Sequence, residues 1–306
     1  MKIVIAGGTG FLGRPLTNAL LQDGHDIIIL TRGTEGATRA QSTGARTVSW
    51  TPNGAVGPWA VEIGTAQAVV NLAGESIAGQ RWTAAHKERI RDSRVHATRS
   101  LSAALRAATV PPSVFVSGSA VGYYGPRGDE EVKEDQPAGS DFLGRVCDEW
   151  EREALGASSD RTRVALIRTG IVLEKDGGAL PEMLPPFRFG VGGPVGSGRQ
   201  YWPWIHRDDW IAMVRWVIST PAASGAINAT APQPVTSATF ARAVGRAMHR
   251  PAIMPAPGFA LRLMLGEMAD ALLLSGQNAI PAKAMRAGFQ FRFRTVDEAL
   301  GAIFAA

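Results

Sequence analysis

The chain opens on a short, β-branched apolar run at residues 3–6 that is closed by glycine, and this reads as a strand rather than a helix. Comparable runs recur at residues 27–31, 46–50, 68–72, 113–116 and 164–168. Between them lie segments with helical spacing of apolar positions, near residues 12–22, 84–107 and 141–155. Strands alternating with helices predict a parallel sheet with crossover connections. The fold class expected is therefore α/β, a doubly wound parallel sheet of the Rossmann type. After Gly170 the rhythm breaks, and proline and glycine crowd residues 177–203, which predicts loops of a smaller lobe. A helix over 207–219 is expected to return to the main body. Further helices are expected over 238–248, over 259–274 and from Thr295 onward. Residues 1–175 then form the nucleotide-binding domain, with 205–235 returning to it. Residues 176–306 form a smaller substrate lobe and a helical C-terminal part.

Composition narrows the chemistry. Of 306 residues 45% are apolar and 19% charged, enough to bury a substantial core. The single cysteine, Cys147, excludes an intrachain disulfide and a thiolate metal site. The five histidines form no His-x-x-x-His pair, so no metal is expected. The basic residues behind the net charge of +5 are mostly arginines, scattered apart from a cluster between Arg81 and Arg106, and form no basic stripe interleaved with aromatics, so no nucleic-acid partner is expected. The N-terminus enters a strand directly, without the features of a signal peptide. The most apolar helical stretch is interrupted by Arg262, Glu267 and Asp270 and will not span a bilayer. A cytoplasmic protein with no membrane partner is the expectation, and a small molecule is the partner the fold class allows.

The strongest chemical signal is Gly7-Gly8-Thr9-Gly10-Phe11-Leu12-Gly13, placed between the first strand and the first helix. Gly7 supplies the tight turn, Gly10 the close approach of backbone to a diphosphate, and Gly13 the close packing of helix on strand. The helix N-terminus then directs amides at the phosphates. Thr9, Phe11 and Leu12 belong to the same cofactor-binding loop. An NAD site places an acid at the end of the second strand, whereas here the strand ends Leu30-Thr31-Arg32, with Asp26 at the opposite end. Arg32, beside Thr31, suits a 2′-phosphate, so the cofactor expected is NADP(H).

Further segments resemble the extended short-chain dehydrogenase/reductase superfamily. They are Asn71-Leu72-Ala73-Gly74, Ser117-Gly118-Ser119 followed by Tyr123-Tyr124-Gly125, Arg168-Thr169-Gly170-Ile171, and Trp204-Ile205-His206-Arg207-Asp208-Asp209. More closely, the words at 71–77, 81–82, 93–94, 141–151, 192–206 and 272–289 are similar to the atypical epimerase-like family with a C-terminal domain of unknown function. The resemblance implies an NADP(H)-binding fold. It places Leu72, Ala73 and Gly74 under the cofactor ribose, Ile171 near the nicotinamide, and Ser119 and Tyr124 at the catalytic position. Arg94 stands where typical members of the superfamily carry an active-site asparagine, and its guanidinium is a candidate for the cofactor.

One expected feature is missing. The superfamily rests on Tyr-x-x-x-Lys, in which lysine lowers the tyrosine pKa so that its hydroxyl can exchange a proton. The residues four positions after Tyr123, Tyr124 and Tyr201 are Arg127, Gly128 and Ile205, so no such pair exists. Ser119 and Tyr124 remain as catalytic candidates, with Glu75, His206 and Cys147 as weaker ones, while Arg89 is a weaker candidate than Arg94 for the cofactor. Two readings follow, an NADP(H)-dependent, epimerase-like oxidoreductase with another proton donor, or a non-catalytic NADP(H)-binding sensor or scaffold.

Overall fold

The computed structural model describes residues 1–33 and 44–305. Seven strands, β1 (Lys2–Ala6), β2 (Asp26–Thr31), β3 (Arg46–Ser49), β4 (Ala68–Asn71), β5 (Val114–Ala120), β6 (Arg163–Thr169) and β7 (Gly225–Ala229), form one sheet. Their order is β7-β6-β5-β4-β1-β2-β3, and every pairing is parallel. Successive side chains of a strand point to opposite faces, so each strand feeds two cores. Ile3, Ile5, Ile27 and Ile29 pack with Leu16 and Leu20 of helix α1 (Gly13–Gln22) and with Trp210, Met213 and Val214 of helix α4 (Arg207–Ser219). Val4, Ala6, Ile28 and Leu30 face the other way, against Ala97, Leu101 and Leu105 of helix α2 (Ala84–Ala107) and Ala154 of helix α3 (Phe142–Leu155). Because both faces are covered, the strands read as continuous apolar runs.

The smaller lobe has its own core. Leu180, Leu184, Phe187, Trp202 and Trp204 pack with Phe240 and Val244 of helix α5 (Ser237–Met248) and with Val296, Leu300 and Ile303 of helix α6 (Val296–Ala305). A short strand, Trp204–His206, pairs in parallel with Ile171–Leu173 and ties the lobe to the end of β6.

Three expectations need correction. The strand β7 was not among those read from the sequence, since Gly225-Ala226-Ile227-Asn228-Ala229 offers a single large apolar residue. The loops expected over 177–203 contain two single-turn helices, Leu180–Met183 and Pro185–Arg188, held by burial of Leu180 and Phe187. The single helix expected over 259–274 is instead Gly258–Leu265, Glu267–Ala269 and a π-helical turn at Asp270–Leu274. Gly266 breaks it, with φ of 63°, a left-handed conformation that no helix can carry through.

Candidate functional site

After β1 the chain runs to one side of the sheet through β2 and β3, and then returns to β4 on the other side of β1. Such a reversal opens a crevice at the carboxyl ends of the strands, where nucleotides bind in doubly wound sheets. The turn that follows β1 stands at this crevice. Gly7 has φ of 79°, and a Cβ there would lie 2.6 Å from the Leu72 carbonyl. A Cβ on Gly13 would collide with the Gly7 carbonyl oxygen and lie 2.7 Å from Gly8 Cα, so its absence lets α1 settle on the turn. Gly10 differs, because its nearest neighbour is the Gly7 oxygen at 3.4 Å and its outer side is open. The three glycines therefore meet three separate geometric demands. The Gly10 amide donates to the Gly7 carbonyl at 3.1 Å and closes the turn.

The crevice is a cleft of about 570 Å³. Gly7, Thr9 and Gly10 form its floor, Thr31 and Arg32 one end, and Leu72, Ala73, Gly74 and Glu75 the opposite wall. Trp50 and Pro52, after β3, and a polar row on α2 complete it. Glu88, Asp92 and His96 of that row were not singled out in the sequence, although they recur at four-residue spacing beside Arg89 and Ser93, which places them on one helix face. Trp50 was missed because it reads as the last apolar residue of a strand. Its ring is buried edge-on against Trp59, with centroids 5.5 Å apart.

Other sequence candidates stand behind the cleft. The Phe11 ring fills the space beside Gly177 and Gly178, where a Cβ would come within 2.6 and 2.8 Å of it, and the Arg207 guanidinium lies 5.5 Å from its centre. Phe11 thereby joins the cofactor loop to the smaller lobe. Leu12 packs on the sheet core, and Ile171 pairs with Trp204. Arg94 is largely buried and donates to the carbonyls of Ile90 (2.8 Å) and Glu75 (3.0 Å). Its Cζ lies 5.4 Å from the Trp150 ring and would be 3.2 Å from a Cβ on Gly74. Burial lowers its pKa from the ordinary arginine value. Ser93 Oγ accepts the Glu75 amide at 3.0 Å, so Ser93 and Arg94 together clamp the loop after β4. Asn71 steadies the same loop, accepting the Ala73 amide and donating to Thr98 Oγ1 at 2.8 Å. The Glu75 carboxylate faces the cleft and receives Arg89 Nε at 3.1 Å, with His86 Nε2 behind it at 3.6 Å.

Ser119 and Tyr124 belong to a sealed polar network and not to the cleft wall. Ser119 Oγ donates to Glu151 Oε1 at 2.6 Å, and Arg168 holds both Glu151 oxygens at 2.8 and 2.9 Å. Arg168 also donates to the Tyr124 hydroxyl at 2.9 Å, and that hydroxyl donates to Asn228 Oδ1 at 2.7 Å. Burial alone would lower the Arg168 pKa, but hydrogen bonds and charge from Glu151 lift it above the usual arginine value. The Tyr124 side chain is 1% exposed. Burial, only partly offset by Arg168, pushes its phenol up to about 12.

The unfolded chain releases the phenolic proton near 10.0 while the folded chain keeps it to about 12. The folded state binds more protons in that window, so stability should fall as pH rises through it. Of the three tyrosines, one should show phenolate absorbance only near pH 12, and Tyr124→Phe should remove that phase. Ionisation of all three near the ordinary value of about 10 would contradict the seal.

Cys147 is also buried, and burial pushes its thiol up to about 12, away from nucleophilic use. His206 caps α4, accepting the Asp208 amide on Nδ1 at 3.0 Å, and its ring lies against Phe293 at 4.0 Å. Burial lowers its pKa. Among the described residues, no three His, Cys, Asp or Glu side chains converge as a metal site, and no helix is long and apolar enough to cross a membrane.

Fold and cleft together define a Rossmann-type, dinucleotide-binding class of protein. Residues 3–146 match the model of the NAD dependent epimerase/dehydratase family, and residues 256–303 match a domain of unknown function, DUF1731. The chain is 42% identical over 300 residues to an epimerase family protein of Mycobacterium bovis, covering 98% of this chain and 96% of that one. It is 35% identical to the epimerase family protein SDR39U1 of Bos taurus, covering all of both chains. The crystal structure of human SDR39U1 (isoform 2) with NADPH superposes with a TM-score of 0.87 at 32% identity, covering 100% of this chain and 99% of that one. A UDP-glucuronic acid 4-epimerase from Bacillus cereus, at 15% identity and a TM-score of 0.76, shares the fold. The chain belongs to the NAD dependent epimerase/dehydratase family, in the branch that carries the DUF1731 C-terminal domain.

Proposed function

We propose that the chain binds NADP(H) along this cleft and acts as an epimerase-like oxidoreductase on a small molecule, without a tyrosine–lysine relay. One observation carries the reading. Gly10, with its open side, and Arg32 line the same cleft, and among the described residues the β2 end of that cleft carries no carboxylate. Gly7, Thr9 and Gly10 would hold the diphosphate, and Thr31 and Arg32 the 2′-phosphate. Leu72, Ala73 and Gly74 would hold the ribose. Gly13, Phe11 and Leu12 keep the loop in place, Arg94 braces the wall, and Ile171 borders the smaller lobe. The bound cofactor would supply a transferable hydride. The human relative crystallised with NADPH supports the choice of cofactor.

For proton transfer the cleft offers the Glu75 carboxylate, backed by Arg89 and His86, in place of the absent pair. The second reading, a sensor or scaffold that holds NADP(H) without turnover, is favoured by the engagement of Ser119 and Tyr124 inside the protein. Incubation with 4-deuterated NADPH and a panel of carbonyl compounds and nucleotide sugars separates the two. Stereospecific loss of label, suppressed in Glu75→Gln, is the expected result. Retention of label with every compound, while NADPH still binds, would decide for the sensor.

A further inference from the structure

The five most exposed large apolar side chains among the described residues are Phe189, Ile253, Phe259, Leu263 and Met264, each 70–83% exposed. They are not scattered. The segment that carries Phe189 and Val191 is bound to the segment that carries Ile253 and Met254, through Met254 N to Gly192 O at 3.1 Å and Ala256 N to Pro194 O at 2.9 Å. The helix Gly258–Leu265 follows directly and has no buried residue. Phe259 and Leu263, four apart, project from one face of it.

The rim of this face is basic. Arg188 precedes Phe189, and Arg242, Arg246 and Arg250 share a shallow depression of about 520 Å³ with Ile253. Asp297 neutralises Arg246 and Asp270 neutralises Arg262. Among the described residues no carboxylate pairs with Arg188, Arg242 or Arg250, so the rim keeps an excess of positive charge.

We propose that this face of the smaller lobe docks peripherally on an anionic lipid surface. Projecting apolar side chains gain by entering the boundary of headgroups and acyl chains, where no preformed pocket is needed. Guanidinium groups at the rim meet lipid phosphates in bidentate fashion and follow the surface potential. A nucleic acid would use the arginines and leave the apolar side chains in water, which is why lipid is the better fit. The absence of a spanning segment in the sequence led to the expectation of no membrane partner. A peripheral face assembled from two distant segments leaves no such trace along the chain.

The full chain is floated with vesicles of phosphatidylcholine, with and without phosphatidylglycerol, at low and raised salt. Binding should favour the anionic vesicles by about tenfold or more and weaken with salt. Phe259→Ser with Leu263→Ser should abolish it, and Arg242→Glu with Arg250→Glu should remove the anionic preference. All four substituted side chains are exposed, so the thermal midpoint of each variant should match the parent. Equal binding to both vesicles, no binding to either, or unchanged binding in the apolar variant would overturn the proposal. So would a concentration-dependent dimer dissolved by the same apolar variant, since the face would then serve a second copy.

Discussion

Gly10→Ala should leave the protein folded and strip it of NADP(H), whereas Gly13→Ala should weaken the fold itself. The two glycines stand in the same turn but face different things. At Gly10 a methyl group meets the Gly7 oxygen at an ordinary 3.4 Å and otherwise points into the cleft. The φ of Gly10 is not positive, so alanine is tolerated and can stabilise the fold by about 0.4–1 kcal/mol through the unfolded chain. The same methyl group occupies the space a diphosphate needs. Loss of that approach should weaken NADPH on the order of a hundredfold, about 2.7 kcal/mol. At Gly13 the methyl group meets backbone on two sides, which has no rotamer with which to yield. The cost should be about 1–3 kcal/mol or more, as for an overpacked core. Urea unfolding and NADPH titration of both variants check the contrast. A Gly10→Ala protein that binds as the parent does would remove the diphosphate from this turn.

The second large effect concerns the buried network around Ser119 and Tyr124. Glu151 and Arg168 are each 4% exposed, and each satisfies the other. Glu151→Ala leaves a buried guanidinium without its anion, and Ser119 without its acceptor. The expected loss is about 3–5 kcal/mol. Replacing both, Glu151→Leu with Arg168→Met, removes the uncompensated charge, so the double variant should be more stable than either single one. Denaturant midpoints of the three proteins decide it. Single variants within about 0.5 kcal/mol of the parent would show that the pair does little. Because this pair anchors Ser119 and Tyr124, it also accounts for why both hydroxyls are turned inward.

Much of the site is local in sequence, and that is why it was legible. The turn at residues 7–13 and the tip of β2 at Thr31 and Arg32 are contiguous words, and the cleft brings them together. So is the loop of Leu72, Ala73 and Gly74. The polar row of α2 was also written in the sequence, at four-residue spacing, but a polar helix face reads as solvated until a facing strand end is known. The network was not legible at all. Ser119, Tyr124, Glu151, Arg168 and Asn228 come from five different elements and meet only because β5, β6 and β7 are neighbours. Tyr124 was therefore read as a hydroxyl open to substrate, since exposure is a property of packing that no motif carries. The break at Gly266 shows a similar limit, because a glycine in a helical pattern declares its φ only in the fold.

The cleft should distinguish NADPH from NADH through Arg32. Calorimetric titration of the full chain with each cofactor tests it most directly, alongside Arg32→Asp. A single site should appear for NADPH, with NADH weaker by about tenfold or more, a gap of at least roughly 1.4 kcal/mol, and with that preference lost in the variant. Equal heats for the two cofactors, or none for either, would contradict the account.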